Sequence, residues 1–124
     1  RQAVAFERIT LRTSANQERD FISISEVCRI IEKVLTTETH IIGDTIFNLS
    51  AGVSKTLLEI SKLCQKRCEV ILGFRPEIIS NHIGDRQDKL FVSNDRLVKN
   101  LGEVDSDLKS EIDQLLLFCG QRFT

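Results

Sequence analysis

The residues best equipped to do chemistry in this chain are arginines. Arg19, Arg75 and Arg86 each carry a planar guanidinium. Its fork of donors suits phosphate oxygens, and its charge does not titrate. Arg19 opens the run Arg19-Asp20-Phe21-Ile22, Arg86 lies in Gly84-Asp85-Arg86-Gln87-Asp88, and Arg75 precedes the single proline, Pro76. On residue types alone, a local ion pair of Arg19 with Asp20 or Glu18 outweighs phosphate binding, since such surface pairs are ordinary features of strand edges. Arg86 reads equally well as a solvated loop charge.

Other chemistries find less support. The cysteines are Cys28, Cys64, Cys68 and Cys119. Cys64 and Cys68 are four apart and could share a helix face, but a zinc site needs two more converging ligands. There is no C-x-x-C pair, and His40 and His82 stand alone. Small buried thiols are the expectation, and free thiols fit a reducing cytoplasm. No Ser/His/Asp set and no cysteine flanked by a base is present. The six glycines do not form G-x-G-x-x-G after a strand. The chain has no tyrosine.

Composition narrows the class. The 124 residues read as one domain, 1–124, long enough to bury a core. A formal charge of -1 and the lack of clustered aromatics argue against a nucleic-acid surface. No apolar run is long enough to span a bilayer, and no signal-like segment opens the chain. The absence of methionine and the opening in mid-pattern with Arg1-Gln2-Ala3-Val4 suggest a piece of a longer protein.

The elements that must position these groups centre on residues 16–35. A polar turn leads into an extended run over 19–23, where alternation sets Asp20, Ile22 and Ile24 against Arg19, Phe21 and Ser23. Ser23-Ile24-Ser25-Glu26 fits a reciprocal helix cap, with Ile22 and Val27 as a staple. The helix that follows, ending near Thr36 or Thr37, places Val27, Ile31, Val34 and Leu35 on one face, with Ile24 leading in. Upstream, 2–7 reads as the end of a helix and 9–13 as a strand with Ile9 and Leu11 inward. Downstream, 46–49, 68–72 and 89–92 read as short strands. A second helix is capped by Thr56-x-x-Glu59, with Ser54 as a rival. It buries Leu57, Ile60, Leu63 and Cys64 and leaves Lys55, Lys62, Lys66 and Arg67 wet. Strand, helix and strand in this order suggest a parallel crossover. The stretch 73–88 reads as a long, functional loop. A short helix fills 95–101. A last helix carries the stripe Leu108, Ile112, Leu115, Leu116 and Cys119, capped by Asp105 or Ser106 and closed by Gly120.

Four motifs in order resemble the extended short-chain dehydrogenase/reductase family, the NAD-dependent nucleotide-sugar epimerases and dehydratases. Arg19-Asp20-Phe21-Ile22 with Ile24 and Glu26 resembles its RDF(I/V)-x-V-x-D signature. Ile46-Phe47-Asn48-Leu49-Ser50-Ala51-Gly52 resembles its "vyNlGsG" segment. Ser54-Lys55-Thr56-Leu57-Leu58-Glu59-Ile60 resembles its "s-x-s-(I/L)-x-E-(L/I)" helix start, and the run SNDRLVKNLG over 93–102 its "D-x-S-K-(A/L)-x-x-x-LG" stretch. The resemblance covers about residues 2 to 119 and belongs to the C-terminal portion of that family.

The resemblance implies a diphosphate-binding role for Arg19, and a second diphosphate arginine at Arg86. The family's R-x-x-D spacing is shortened here to Arg86-Gln87-Asp88, and Arg75 is a rival. Phe21, Asn48 and Arg75 are candidate pocket residues, although a turn-stabilising role outweighs ligand contact at Asn48. Glu26 reads as a cap, and Arg96, at the family's lysine position, as a surface charge. Ser23 and Ser93 depart from the pattern. The family's Tyr-x-x-x-Lys pair and its dinucleotide fingerprint have no counterpart among these residues.

The expected fold is therefore α/β with α+β character: a short mixed or parallel sheet and about four helices, without the Rossmann half. The expected function is the substrate-binding domain of a cytoplasmic NAD-dependent epimerase or dehydratase, clamping a nucleotide-sugar diphosphate. This part alone would not be catalytic. NAD(P) would sit in the N-terminal Rossmann portion of the parent chain, with no cofactor, metal, nucleic acid or membrane held here. Isolated, the piece would self-associate or be locally disordered over 1–8 or 73–88. The rival expectation is a stand-alone α/β protein-interaction module, using Ala3, Val4, Phe6 and the Phe118–Phe123 end as an apolar patch.

Overall fold

The computed structural model describes residues 1–38, 42–80 and 89–123. In chain order the elements are helix α1 (Gln2–Ala5), strand β1 (Arg8–Leu11), strand β2 (Glu18–Asp20), helix α2 (Ile24–Thr36), strand β3 (Ser54–Thr56), helix α3 (Leu57–Leu72), strand β4 (Glu77–Ser80), helix α4 (Asp95–Leu101) and helix α5 (Leu108–Phe123). The class is the small α/β arrangement expected, with five helices among the described residues. β1 pairs in parallel with β4, from Arg8 opposite Glu77 to Leu11 opposite Ser80. β2 and β3 form a second two-stranded sheet. The chain gathers into two compact units. The first comprises Arg1–Arg19, Lys55–Lys89 and Lys109–Thr124, and the second Asp20–Ser54 and Leu90–Leu108. No helix among the described residues is long and apolar enough to cross a membrane.

The first unit builds its core from Ala3, Val4, Cys68 and Leu116, with Ile9, Ile71, Leu72, Ile112 and Cys119 packed around them. Ala3 and Val4 thus belong to the interior and are not part of an exposed patch. Burial pushes the Cys68 thiol up to about 11, with Cys64 adding to the shift, so it serves as a small apolar filler. α3 starts on a complete capping box: the Thr56 hydroxyl accepts from the Glu59 amide at 3.1 Å and the Glu59 carboxylate accepts from the Thr56 amide at 2.7 Å.

The segment 68–72, expected as a strand, continues α3. Cys64, Cys68, Ile71 and Leu72 recur at helical spacing, and nothing breaks the helix before Gly73, which ends it at φ +78°. The expected parallel pairing of 46–49 with 68–72 is not formed; the parallel pair is β1 with β4, the latter inside the stretch expected to be irregular. Gln65 donates to the Pro76 carbonyl at 2.8 Å just before that strand begins. Arg67 ties α3 to α5 through a two-point pair with Asp113, at 2.6 and 2.7 Å. Gly120 lies within α5 and does not close it. A Cβ there would meet Leu72 Cδ2 at 3.3 Å, so the glycine permits close approach to α3. Leu115, expected on the buried stripe, is exposed.

The second unit packs Ile30, Leu97 and Leu101, with Ile22, Val34, Phe47 and Val104 around them. The Ser23 hydroxyl accepts from the Glu26 amide, as expected of the cap. The reciprocal half is absent: the Ser23 amide donates to Ser106 Oγ at 2.7 Å. Glu26 is buried and accepts from Arg29 Nε at 2.7 Å, Arg29 Nη2 at 2.6 Å and the Asp105 amide at 3.0 Å. This changes the inward face of α2. The buried line runs through Glu26, Ile30 and Val34, whereas Ile24, Ile31 and Leu35 are 64%, 46% and 80% exposed. A carboxylate fully supplied with donors can occupy an interior position, and doing so turns the helix away from its most apolar stripe.

Segments 46–49 and 89–92, expected as strands, carry no ladder. Side chains hold them instead. Asn48 donates to the Ser93 carbonyl at 3.0 Å, Ser50 Oγ to the Val92 carbonyl at 2.9 Å, and Ser54 Oγ to the Leu90 carbonyl. β2 likewise ends at Asp20 and not at Ser23. The Asp20 carboxylate turns to the 50–51 bend, accepting from the Ala51 amide at 3.0 Å and sharing the single Ser50 hydroxyl proton with the Val92 carbonyl.

Candidate functional site

The first unit contains a cavity of about 340 Å³, lined by Ala15, Asn16, Leu58, Lys62, Gln65, Ile78 and Ser80. Three elements create it. The turn at 14–17 is docked onto the start of α3, with the Leu57 amide donating to the Gln17 carbonyl at 3.0 Å and the Leu58 amide to the Ala15 carbonyl at 2.9 Å. The first three turns of α3 supply Leu58, Lys62 and Gln65, spaced so that they share a face. β4 contributes alternate residues, Ile78 and Ser80, which lie on one side of the strand.

The polar groups of this cavity differ in how they are committed. Gln65 is fully engaged: its amide nitrogen donates to Pro76, and its oxygen accepts from Arg75 Nη2 at 3.2 Å. The Ser80 hydroxyl is buried and has no hydrogen-bond partner among the described residues. The Lys62 ammonium forms neither hydrogen bond nor ion pair there; its field helps hold down the pKa of Glu59, whose carboxylate is bound first by the Thr56 amide and hydroxyl. Leu58, Ile78 and Ala15 supply aliphatic wall.

A second cavity, of about 300 Å³, lies within the second unit and is lined by Ile46, Asn48, Ser93, Asn94 and Arg96. Its amides are tethered, Asn48 to the Ser93 carbonyl and Asn94 to the Ser50 carbonyl at 3.1 Å. Gly52 is required beside it, at φ +70° and with the Asn94 amide 2.8 Å from where a Cβ would stand.

Arg19 lies on β2 in the first unit, exposed, with Nη1 donating to the Glu18 carbonyl at 2.8 Å. Arg75, in the same unit, is exposed and reaches Gln65 and, at 3.4 Å, Glu69. Phe21 and Asn48 belong to the second unit, Phe21 half-buried and Asn48 on its cavity. Arg86 lies outside the described residues, as do His40 and His82. Asn16, Lys62 and Ser80 were not singled out. Lys62 is a plain wet helix position by spacing, and only the folding of β4 against β1 brings Ser80 to the same cavity. Arg96, read as a surface charge, lines the second cavity. Among the described residues no group of His, Cys, Asp and Glu could hold a metal ion. Nor do these 124 residues offer a glycine cradle or a tyrosine suited to a nicotinamide dinucleotide.

Comparison with known proteins gives fold-level matches. No family model and no curated protein matches the chain. Solved structures do. RMD from Pseudomonas aeruginosa, complexed with NADPH, aligns over 98% of this chain and 38% of its own at a TM-score of 0.69 and 18% identity. TunA, an NAD-dependent NDP-hexosamine 5,6-dehydratase involved in tunicamycin biosynthesis, aligns over 98% and 38% at 0.68 and 13%. The dTDP-glucose 4,6-dehydratase of Bacillus anthracis, in complex with NAD, aligns over 98% and 37% at 0.66 and 13%. The chain thus spans under two-fifths of the length of these proteins. The chain shares its fold with part of each of these proteins.

Proposed function

We propose that this chain is the C-terminal, substrate-binding portion of an NAD-dependent nucleotide-sugar epimerase or dehydratase, and that it grips the nucleotide diphosphate with Arg19, aided by Arg86. Phe21, Asn48 and Arg75 are secondary pocket candidates. The dinucleotide would be held by a Rossmann portion of the parent chain, which would supply the hydride chemistry. The residues present here would bind the sugar nucleotide and orient it.

The observation that carries this reading is the near-complete alignment of the chain with about two-fifths of three proteins, two of them dehydratases that use or bind NAD and one complexed with NADPH. The placement of the Arg-Asp-Phe-Ile run, which begins on β2 and leads directly to the cap of α2, supports it. The exposed guanidinium of Arg19 is bonded only to a backbone carbonyl among the described residues, so a phosphate could engage its remaining donors.

Isothermal titration of the chain with dTDP-glucose and UDP-glucose tests the reading. Arg19→Ala is expected to weaken binding by about 1.5–3 kcal/mol, the worth of a charge-assisted hydrogen bond. Equal affinity in the variant, or no binding by the unaltered chain, removes the role.

A further inference from the structure

We infer that the exposed face of α5 binds a second copy of this chain, with the two α5 helices antiparallel about a two-fold axis. The helix has two unlike faces. Ile112, Leu116 and Cys119 pack in the core of the first unit, and Gly120 lies against Leu72. On the other face Leu115, Leu117 and Phe118 are each more than half exposed, with Gln114, Gln121 and Arg122 exposed beside them. From Gln114 to the end of α5 the only charge is Arg122. A face of leucine, phenylalanine and arginine with no other charge has the composition of an interface centre, where aromatics and arginine are enriched and most charges depleted.

The order of residues along that face selects the partner. Glu111, Leu115, Phe118 and Arg122 are spaced four, three and four, so they stand in one line along the helix. That line has the same spacing read from either end. Against an antiparallel copy, the register that sets Leu115 opposite Phe118 of the partner subunit also sets Glu111 opposite Arg122 of the partner subunit. A two-fold contact demands this reciprocity, because each facing pair must occur twice. An acid at one end and a base at the other satisfies it; two acids or two bases would meet their own kind. The Arg122 guanidinium lies over the Phe118 ring at 5.5 Å, at the rim of the apolar contact. There a charge pair sets direction and register more than affinity. One helix pair is a small interface, below the roughly 1,200 Å² of standard ones, so the dimer is a weak one, with a dissociation constant in the micromolar range. The exposed stripe of α2, Ile24, Cys28, Ile31 and Leu35, has the same spacing but ends in apolar residues. No charge there fixes a partner's direction, and that stripe serves as the control.

The inference does not rest on the nucleotide-sugar reading. Sedimentation equilibrium of the chain from micromolar to millimolar concentration tests it, and a monomer–dimer equilibrium is expected. Leu115→Asp should raise the dissociation constant on the order of a hundredfold, since a substitution acts twice in a two-fold contact. Ile31→Ser and Arg19→Ala should leave it unchanged. Glu111→Arg and Arg122→Glu should each weaken self-association by about tenfold, because each sets like charges opposite one another. Mixing these two variants should restore a dimer as tight as the unaltered one, since both rim pairs of the mixed dimer join an acid to a base. If Glu111→Arg does not fold, the mixture of Leu115→Lys with Phe118→Glu makes the same test. Its mixed pair sets lysine against glutamate once and phenylalanine against leucine once.

A chain that stays monomeric throughout overturns the inference. So does a Leu115→Asp variant that associates as tightly as the unaltered chain, or loss of the dimer with Ile31→Ser, which would move the contact to α2. Failure of the complementary variants to associate on mixing rules out the antiparallel register.

Discussion

The two units solve the same problem by different means. The first has a parallel β1–β4 pair, long helices and a core that includes Cys68 and Leu116. Its polar ties include the two-point Arg67–Asp113 pair that joins α3 to α5. Among the described residues the second buries the apolar side chains Ile30, Leu97 and Leu101 under a set of loops. There, side chains bond to backbone in place of a ladder: Asn48, Ser50 and Ser54 reach the carbonyls of 90–93, and Lys33 Nζ donates to the Leu101 carbonyl at 2.5 Å. A chain that crosses without regular pairing must satisfy its amides and carbonyls one by one. That shifts stability from repeated ladder bonds to individual residues, and single substitutions should be felt more sharply in the second unit.

The largest expected effect tests its small core. Leu97→Ala should cost about 2–5 kcal/mol, as for other buried leucines, read as lost amide protection across α2 and α4 with β1 and β4 as reference. A cost under about 1 kcal/mol would mean that the polar ties, and not this core, hold the unit.

Glu26→Gln tests the ties and should cost less, about 1.5–3 kcal/mol at neutral pH. The amide keeps the shape and loses the charge. Arg29, bonded directly, is the first cause that holds the Glu26 carboxyl below its ordinary value of 4.5, with the Asp105 amide contributing. A carboxyl lowered in the folded state adds stability above its unfolded pKa and loses it as pH falls through the folded value. The difference between the unaltered chain and Glu26→Gln should therefore be full near pH 7 and shrink on acidification below about 4.5. Denaturant melts at several pH values measure it. A difference independent of pH would rule out the carboxylate as the tie.

The smallest effect sharpens the register of α2. Ile31→Ser, at a position 46% exposed, should change stability by no more than about 0.5 kcal/mol. A loss matching that of a core residue would restore the apolar stripe read from sequence as the inward face.

Much of the local structure was legible. Caps are short-range hydrogen-bond chemistry, so Ser23 and Thr56 could be read directly, as could the helix over 95–101 with Gly102 beyond it. The short apolar runs were not. Residues 46–49, 68–72 and 89–92 have strand-like composition, but a run of four or five residues has no period of its own, and context decides. In α3 the context was an unbroken helix; in the other two it was serine and asparagine side chains from distant sequence. The site divides the same way. Arg19, Arg75 and Asn48 could be nominated from chemistry and motif, but not Lys62 with Ser80, because nothing in residue type marks a lysine 18 positions before a serine as its neighbour.

What the residues determined alone is therefore local: helix starts, the α/β class, and the lack of a dinucleotide fingerprint in these 124 positions; burial of the thiols was not among them, since only Cys68 is buried and Cys28 is exposed. What only the tertiary structure decided is which face of each helix turns inward and which side chains share a cavity. α2 shows the reason most plainly. Its most apolar stripe is not its buried one, because Glu26 finds Arg29 and an amide 79 residues away. Compensation of a buried charge depends on partners that the chain must first fold to supply.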